Sequence, residues 1–353
     1  MKKTRIVAED VENIIGSIGA DKLIERFSNK RFLVAGATGM VGSYFIYVLD
    51  KLNEEYDAKI KIVACLRNKT KLDETLLDRV EILEHDVAEE FEGESVDFIV
   101  HAASPASPLI MREKPLETNF ANTLGTANLI KLALKNKDFG GILFVSSREI
   151  YGEPERGQEF FYEDGKLGQV NSLVPRNGYA EGKKAAENML ISAKDEYGLN
   201  VKIARLAHTY GPGMSIHDGR VQADFLKNVV SGEDIVLKSD GSSVRTYTYI
   251  SDAVEAMLRV LIDSSSEVYN IADEKSKVSI KELAETIVEL PIAKEKNLKI
   301  VFDIDEESKK GAASFTGGIL STDKIRSELN WEPKYSISEG FARTIEHLIL
   351  ESQ

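Results

Sequence analysis

The sequence predicts an α/β fold: a doubly wound parallel sheet followed by a smaller C-terminal lobe. Three observations carry this. Residues 31–42, RFLVAGATGMVG, run from an apolar stretch into glycines at Gly36, Gly39 and Gly42. From there to Leu206, short apolar runs alternate with stretches of helical spacing, the pattern of parallel strands covered on both faces. Beyond Leu206 the alternation gives way to a less regular region opened by a GPGM loop at 211–214.

The elements follow in order. Val11, Ile14, Ile15, Ile18, Leu23 and Ile24 recur at roughly helical spacing, which predicts one or two short helices over residues 1–30, docked on the outside of their own domain. Residues 32–35 form the first strand, and a helix covers 44–52. Gly36 permits the tight turn between them, Gly39 lets the backbone approach a pyrophosphate, and Gly42 lets the helix lie close to the strand. Phosphates then sit on the positive end of that helix, so the implied ligand is a dinucleotide on a Rossmann-type unit. The uncharged run 32–49 approaches the length of a membrane span, but three glycines, Thr38, Ser43 and two tyrosines make a poor lipid-facing helix.

Further strands are expected at 61–66 (KIVACL), 80–83, 96–101 (VDFIVH), 141–146 (GILFVS) and 201–206, with helices notably at 122–134 and 178–197. Later helices near 221–230, 251–262 and 279–290 flank LKSDGSSVRTYTYI at 237–250. The expected division is an extension at 1–30, a dinucleotide-binding domain at 31–206, and a region at 207–353 that is mainly a substrate-binding lobe, with some segments returning to the first domain. No repeat, low-complexity tract or proline-rich linker separates the lobes, which predicts a continuous interface.

Composition narrows the function classes. The 353 residues are 42% hydrophobic and 29% charged, as in ordinary soluble proteins. No apolar run follows the basic Met1-Lys2-Lys3, so no signal peptide is read and a cytoplasmic location is expected. One cysteine, Cys65, leaves no internal disulfide framework and no clustered-cysteine zinc site; its expected role is packing, and no metal is expected. A net charge of -13 disfavours nucleic acid and anionic membranes as partners, while a few local arginines can still hold an anionic substrate.

Tyr179 and Lys183 stand four apart near the start of a helix, on one face. An ammonium near a phenol favours the phenolate, so the expectation is a lowered tyrosine pKa and a usable base for a sugar hydroxyl. In isolation the pair reads as a surface tyrosine and a solvated lysine. Its place behind a strand ending in Ser146-Ser147, in a chain that opens with a glycine loop, gives it weight.

These residues, with HAASPASP (101–108), NTLGT (122–126), SSREIYG (146–152), HTYGPGM (208–214), HDGRV (217–221) and RTYTYISD (245–252), resemble the extended short-chain dehydrogenase/reductases. The group is that of nucleotide-sugar epimerases, dehydratases and decarboxylases, and the resemblance covers about residues 31–345. HAASPASP, PRNGYAEGK and HDGRV are most similar to the UDP-glucuronate decarboxylases, which form UDP-xylose.

The resemblance implies NAD as cofactor, a nucleoside-diphosphate sugar as substrate, a 4-keto intermediate, a homodimer and a part in polysaccharide biosynthesis. It implies Tyr179 as base, Lys183 on the nicotinamide ribose, Ser147 sharing the hydrogen bond to the sugar 4-hydroxyl, and Glu149 assisting proton movement at C5. Cofactor contacts would come from Gly36, Thr38, Gly39, Met40, Val41, Gly42, Arg67, Asp86, Val87, Ala102, Ala103, Ser104 and Asn122, besides Tyr179 and Lys183. Substrate contacts would come from Ser107, Arg148, His208, Arg220 and Arg245. Arg245 is otherwise read as a surface ion-pair residue, and Glu149 as a turn glutamate. A 4-epimerase or 4,6-dehydratase remains an alternative, and so does a non-catalytic dinucleotide-sensing scaffold.

Several positions depart from the pattern. The second strand ends Cys65-Leu66-Arg67-Asn68 with no acidic residue for the adenosine ribose, and Arg67 with Lys69 offers a place for the 2'-phosphate of NADP. Arg148 stands where a 4,6-dehydratase would have the aspartate of its acid/base pair, which disfavours dehydration. Against the decarboxylases, Met111 replaces a tyrosine, Phe120 a lysine, His208 an asparagine and Gly213 an arginine.

Overall fold

The structure, a computed structural model, describes residues 1–165, 167–168, 170–304 and 318–352. Its centre is a seven-stranded parallel sheet. From edge to edge the strands are Glu81–Glu84, Lys61–Leu66, Arg31–Ala35, Phe98–His101, Gly141–Ser147, Val201–Leu206 and Val268–Ile271. Chain order reverses between Arg31–Ala35 and Phe98–His101, the switch point at which doubly wound sheets bind ligands beyond their strand C-termini.

Strand residues alternate between the two faces because successive side chains point oppositely. Phe32 and Val34 enter the core beneath the helices Met40–Tyr56 and Ile250–Asp263, while Leu33 and Ala35 enter the core beneath Pro115–Ala133 and Gly178–Tyr197. Both faces are covered by helices, which is why the strands read as continuous apolar runs.

Lys61–Leu66, Val201–Leu206 and the helix Gly178–Tyr197 have the bounds expected from sequence. The helix after the glycine loop is longer than expected, beginning at Met40 directly behind Gly39. The fourth strand begins at Phe98; just before it, the Asp97 N–H donates to the Arg31 carbonyl at 2.8 Å and the Asp97 carboxylate accepts the Arg31 N–H at 2.7 Å. Within the central sheet, Val268–Ile271 is the strand that the sequence did not reveal; it pairs in parallel with Val201–Leu206 and returns the chain to that sheet.

The rest of the C-terminal region holds small sheets. Val244–Tyr249 lies between His208–Tyr210, to which it is parallel, and Lys277–Ser279, to which it is antiparallel. Phe160–Phe161 pairs with Ile319–Leu320. The helix Ile280–Val288 starts with a capping box in which Ser279 and Glu282 satisfy each other's backbone N–H groups.

At the N-terminus the helices Arg5–Ile18 and Ala20–Phe27 pack on the domain. The first buries Val7, Val11, Ile14 and Ile15 against the helices Met40–Tyr56, Ile250–Asp263 and Ile337–Ser352. Its buried Asp10 accepts hydrogen bonds from Tyr44 at 2.7 Å, Tyr249 at 2.8 Å and Arg343 at 2.7 Å. Among the described residues no helix is long and apolar enough to cross a membrane.

Candidate active site

The loop after the first strand is shaped by contacts that exclude side chains. Gly36 has φ +86°, and a Cβ there would lie 2.7 Å from the Ala102 carbonyl carbon, on the neighbouring strand's exit. A Cβ on Gly42 would lie 2.2 Å from the Gly36 oxygen, so the helix can sit this close to the turn only without one. Gly39 caps the helix and is exposed; its imagined Cβ meets the Gly36 oxygen at 3.3 Å, which leaves the backbone open to an approaching ligand. Thr38, Met40 and Val41 complete the turn and are partly exposed.

The other expected cofactor residues lie at the same edge of the sheet, because each follows a strand. Asp86 and Val87 come after Glu81–Glu84, and the Asp86 carboxylate accepts the Ala88 N–H at 3.0 Å. Ala102, Ala103 and Ser104 come after Phe98–His101. Asn122 reaches in from the helix Pro115–Ala133, donating to the Thr118 carbonyl at 2.9 Å. Among the described residues Ser104 Oγ and Asn122 Oδ1 are buried with no hydrogen-bond partner, a condition that bound polar groups relieve. The glycine cradle and these two orphaned oxygens fit a dinucleotide.

Arg67 differs from its neighbours. Its guanidinium is exposed and ion-paired with Glu117, which also pairs with Lys114 at 3.2 Å. Glu117 is held below the usual carboxylate range first by its hydrogen bond from Arg67 and then by that from Lys114.

Tyr179 and Lys183 lie together on the helix Gly178–Tyr197, beneath the end of Gly141–Ser147. Tyr179 is hydrogen-bonded to Ser147, whose Oγ also accepts the Glu149 N–H at 3.2 Å. Lys183 donates to the Val145 carbonyl at 2.6 Å and stands 4.5 Å from the Phe144 ring centre and 5.7 Å from that of Tyr179. The lowered phenol pKa expected from sequence is not found in the protein alone. Burial, followed by the Glu149 charge, pushes Tyr179 up to about 12, and burial brings Lys183 down to about 7. Desolvation outweighs the lysine's attraction for a phenolate because both groups are enclosed.

Glu149 is ion-paired with Arg176 through two hydrogen bonds, 2.8 and 3.0 Å long. A guanidinium on both oxygens fixes the orientation of the carboxylate. Arg176 was not singled out from the sequence, although it stands three residues before Tyr179 inside PRNGYAEGK.

Beside Ser147 lies a cationic cleft lined by Arg148, His208, Arg245 and Thr246. Burial brings Arg148 down to about 10, and the Arg245 charge adds to that fall. His208 is held well below its usual pKa by burial and then by Arg148, Arg245 and Arg220, so it is neutral. Arg220 donates to the Ala106 carbonyl at 2.6 Å, and Ser107 Oγ donates to the Asp218 carbonyl at 2.7 Å. These bonds tie the HAASPASP and HDGRV loops together. Three of the four expected basic residues thus line one cleft, the charge of the fourth, Arg220, acts on His208, and Ser107 serves as a latch between its loops.

Three positions that depart from the decarboxylase pattern have separate settings. Met111 is buried, Phe120 is 44% exposed, and a Cβ on Gly213 would lie 2.5 Å from Met1 Sδ and 3.4 Å from Met40 Cα. Met1 thus occupies the space into which a side chain at 213 would project. Among the described residues no group of three or more His, Cys, Asp or Glu side chains is placed to hold a metal ion.

Known proteins share this architecture and sequence. UDP-glucuronic acid decarboxylase 6 of Arabidopsis thaliana is 33% identical over 317 residues, 89% of this chain and 87% of that protein. UDP-glucuronic acid decarboxylase 1 of Danio rerio is 29% identical over 333 residues, 94% of this chain and 75% of that protein. In fold, the chain resembles a Thermotoga maritima UDP-glucose 4-epimerase solved with UDP-glucose, with a TM-score of 0.77 and 24% identity over 92% of this chain and 100% of that one. It also resembles Bordetella bronchiseptica WbmF solved with NAD+ and UDP, with a TM-score of 0.72 and 21% identity over 92% of this chain and 94% of that one. The profile of the NAD dependent epimerase/dehydratase family matches residues 32–272, more than half of the sequence, and the chain belongs to that family.

Proposed function

We propose that the protein is a nucleotide-sugar-modifying enzyme that works through a 4-keto sugar, and specifically a decarboxylase of UDP-glucuronate. The observation that carries the specific reading is the narrow cleft lined by Arg148, His208 and Arg245, directly after Ser147 in the chain, with the Arg220 charge acting on both His208 and Tyr179. A carboxylate entering a closed pocket needs such partners, since burying it unpaired is costly. The decarboxylases among its relatives support the same substrate.

The residues of the glycine loop would hold NAD+, which when bound would supply a reversible hydride acceptor for sugar C4. Tyr179 takes the 4-hydroxyl proton while Ser147 holds the same oxygen, giving the ketone. The carboxylate is then β to that ketone. Its C5–C6 bond breaks, carbon dioxide leaves, and the electron pair passes into an enolate whose oxygen faces Ser147 and the protonated Tyr179. C5 then takes up a proton that comes from solvent, a transfer assisted by Glu149, which Arg176 holds in place. Arg245 and Arg148 hold the acidic group, and Lys183 holds the nicotinamide ribose.

NAD rather than NADP is the proposed cofactor, retained through a cycle that has no net redox change. The Arg67–Glu117 pair supports this, because Glu117 already neutralises the guanidinium that a 2'-phosphate would use. A cytoplasmic homodimer, supplying polysaccharide synthesis, is the proposed setting. Leu116, Phe120 and Leu124, at successive turns of one helix face, are 63%, 44% and 45% exposed and suit a subunit contact.

Incubation with UDP-, dTDP-, CDP- and GDP-sugars, read by product mass and configuration, tests the substrate and the reaction together. A product lighter by carbon dioxide from UDP-glucuronate alone is expected. An isomer formed from a neutral sugar would make the enzyme an epimerase.

A further inference from the structure

We propose that Arg176 is a positioning residue that sets the face of the sugar from which C5 takes up its proton, by fixing the direction of the Glu149 carboxylate. The inference deepens the decarboxylase reading and rests on it. It passes from the reaction to the configuration of the new C5–H bond.

Arg176 lies in the short turn Pro175–Asn177, which leads directly into the helix carrying Tyr179 and Lys183. Glu149 lies in the turn Arg148–Tyr151, directly behind Ser147. Two hydrogen bonds join the turns: Arg176 Nη1 donates to Glu149 Oε2 at 2.8 Å, and Nη2 donates to Oε1 at 3.0 Å. Such a fork fixes the plane of a carboxylate as well as its place, which a single contact does not. Both turns are themselves tied down. The Glu149 N–H donates to Ser147 Oγ at 3.2 Å, and the Asn177 side chain donates to the Asn171 carbonyl at 3.0 Å.

Exposure falls in order along this set. The Arg176 side chain is 42% exposed and that of Glu149 27%, while Tyr179, hydrogen-bonded to Ser147, is 7% exposed. The charges of Glu149 and Arg176 both act on Tyr179, as does that of Arg220, and the Glu149 charge also acts on its neighbour Arg148. By exposure the clamped carboxylate is therefore intermediate between water and the buried hydroxyls. An ion pair this exposed adds little stability, so its two hydrogen bonds are explained by orientation rather than by folding.

Loss of carbon dioxide leaves a planar enolate across C4 and C5, with two faces open to a proton. The ketone re-forms as the enolate's electron pair closes on a solvent proton to make the C5–H bond. A carboxylate held in one plane passes that proton from its own side, and a carboxylate free to turn loses this bias.

The test runs UDP-glucuronate with NAD+ through the full-length protein in 2H2O and reads C5 of the UDP-xylose by NMR. Each product molecule takes up one deuteron, in either of two C5 positions. In the wild type a single position is expected to hold the label. Arg176→Met is expected to place about a tenth or more of it in the other position, a facial preference reduced to roughly tenfold or less. Arg176→Lys, which keeps the charge without the fork, is expected to fall between the two, and it serves as the test if Arg176→Met fails to fold. Thermal unfolding and NAD+ affinity are expected to stay at wild-type values, which separates positioning from a structural role. Configuration is read on whatever product accumulates, so a slow variant is as informative as a fast one. Label in both positions in the wild type, or in one position only in folded Arg176→Met, overturns the inference and leaves the reaction standing. Wild-type protein that forms no UDP-xylose overturns the decarboxylase reading, and this inference with it.

Discussion

Tyr179 and Lys183 show what a single-residue reading captures and what it misses. Their pairing is legible because a spacing of four fixes two side chains on one helix face. The direction of their pKa shifts is not, because burial comes from elements far away in sequence. Removing the phenol oxygen takes little volume, so Tyr179→Phe is expected to keep the fold and NAD binding while turnover falls about 100- to 10,000-fold, measured by steady-state kinetics and calorimetry. Lys183 also marks stability. Its folded pKa of about 7 lies below the ordinary 10.5, so between these values the unfolded chain binds the extra proton and stability rises with pH. Denaturant titrations are expected to show that rise in the wild type and its absence in Lys183→Met. After the second strand, Arg67 was legible as a cation, whereas its partner Glu117, 50 residues away, was not. Apo protein is expected to bind NAD+ more tightly than NADP+ in calorimetry, and Glu117→Gln to narrow the gap by freeing Arg67.

At the scale of elements, the sequence announces what is apolar and regular. Lys61–Leu66 and Val201–Leu206 are legible because six-residue runs rich in apolar side chains end sharply. Val268–Ile271 is not, since it has four residues and a polar Asn270 at its centre. Asn270 is tolerated because its side chain accepts from Tyr151 and donates to the Phe161 carbonyl at 3.0 Å, partners that only the folded chain supplies. The glycine loop is legible down to its separate roles. Gly42→Ala places a methyl against the Gly36 carbonyl, which backbone alone can relieve by shifting. That variant is expected to lose ~1–3 kcal/mol of stability and most of its NAD+ affinity, measured by thermal unfolding and calorimetry. The same test on Gly39, which has more room, is expected to spare stability.

Over the whole molecule, the N-terminal helix is part of the core. Ile14 is fully buried beside residues from the central sheet's helices and from the C-terminal region, so Ile14→Ala is expected to cost ~2–5 kcal/mol in denaturant unfolding. Helical spacing announces such a helix, but its anchorage through Asp10 to Tyr44, Tyr249 and Arg343 depends on three distant segments. The same holds for the cationic cleft: its arginines are visible one by one in a chain of net charge -13, and the fold alone gathers them around His208. That gathering carries the proposed reaction. The most direct test is to supply UDP-glucuronate labelled in its carboxyl carbon to the purified protein without added cofactor. Labelled carbon dioxide released together with UDP-xylose is the result expected. Unchanged UDP-glucuronate, with a neutral nucleotide sugar isomerised by the same preparation, would contradict it.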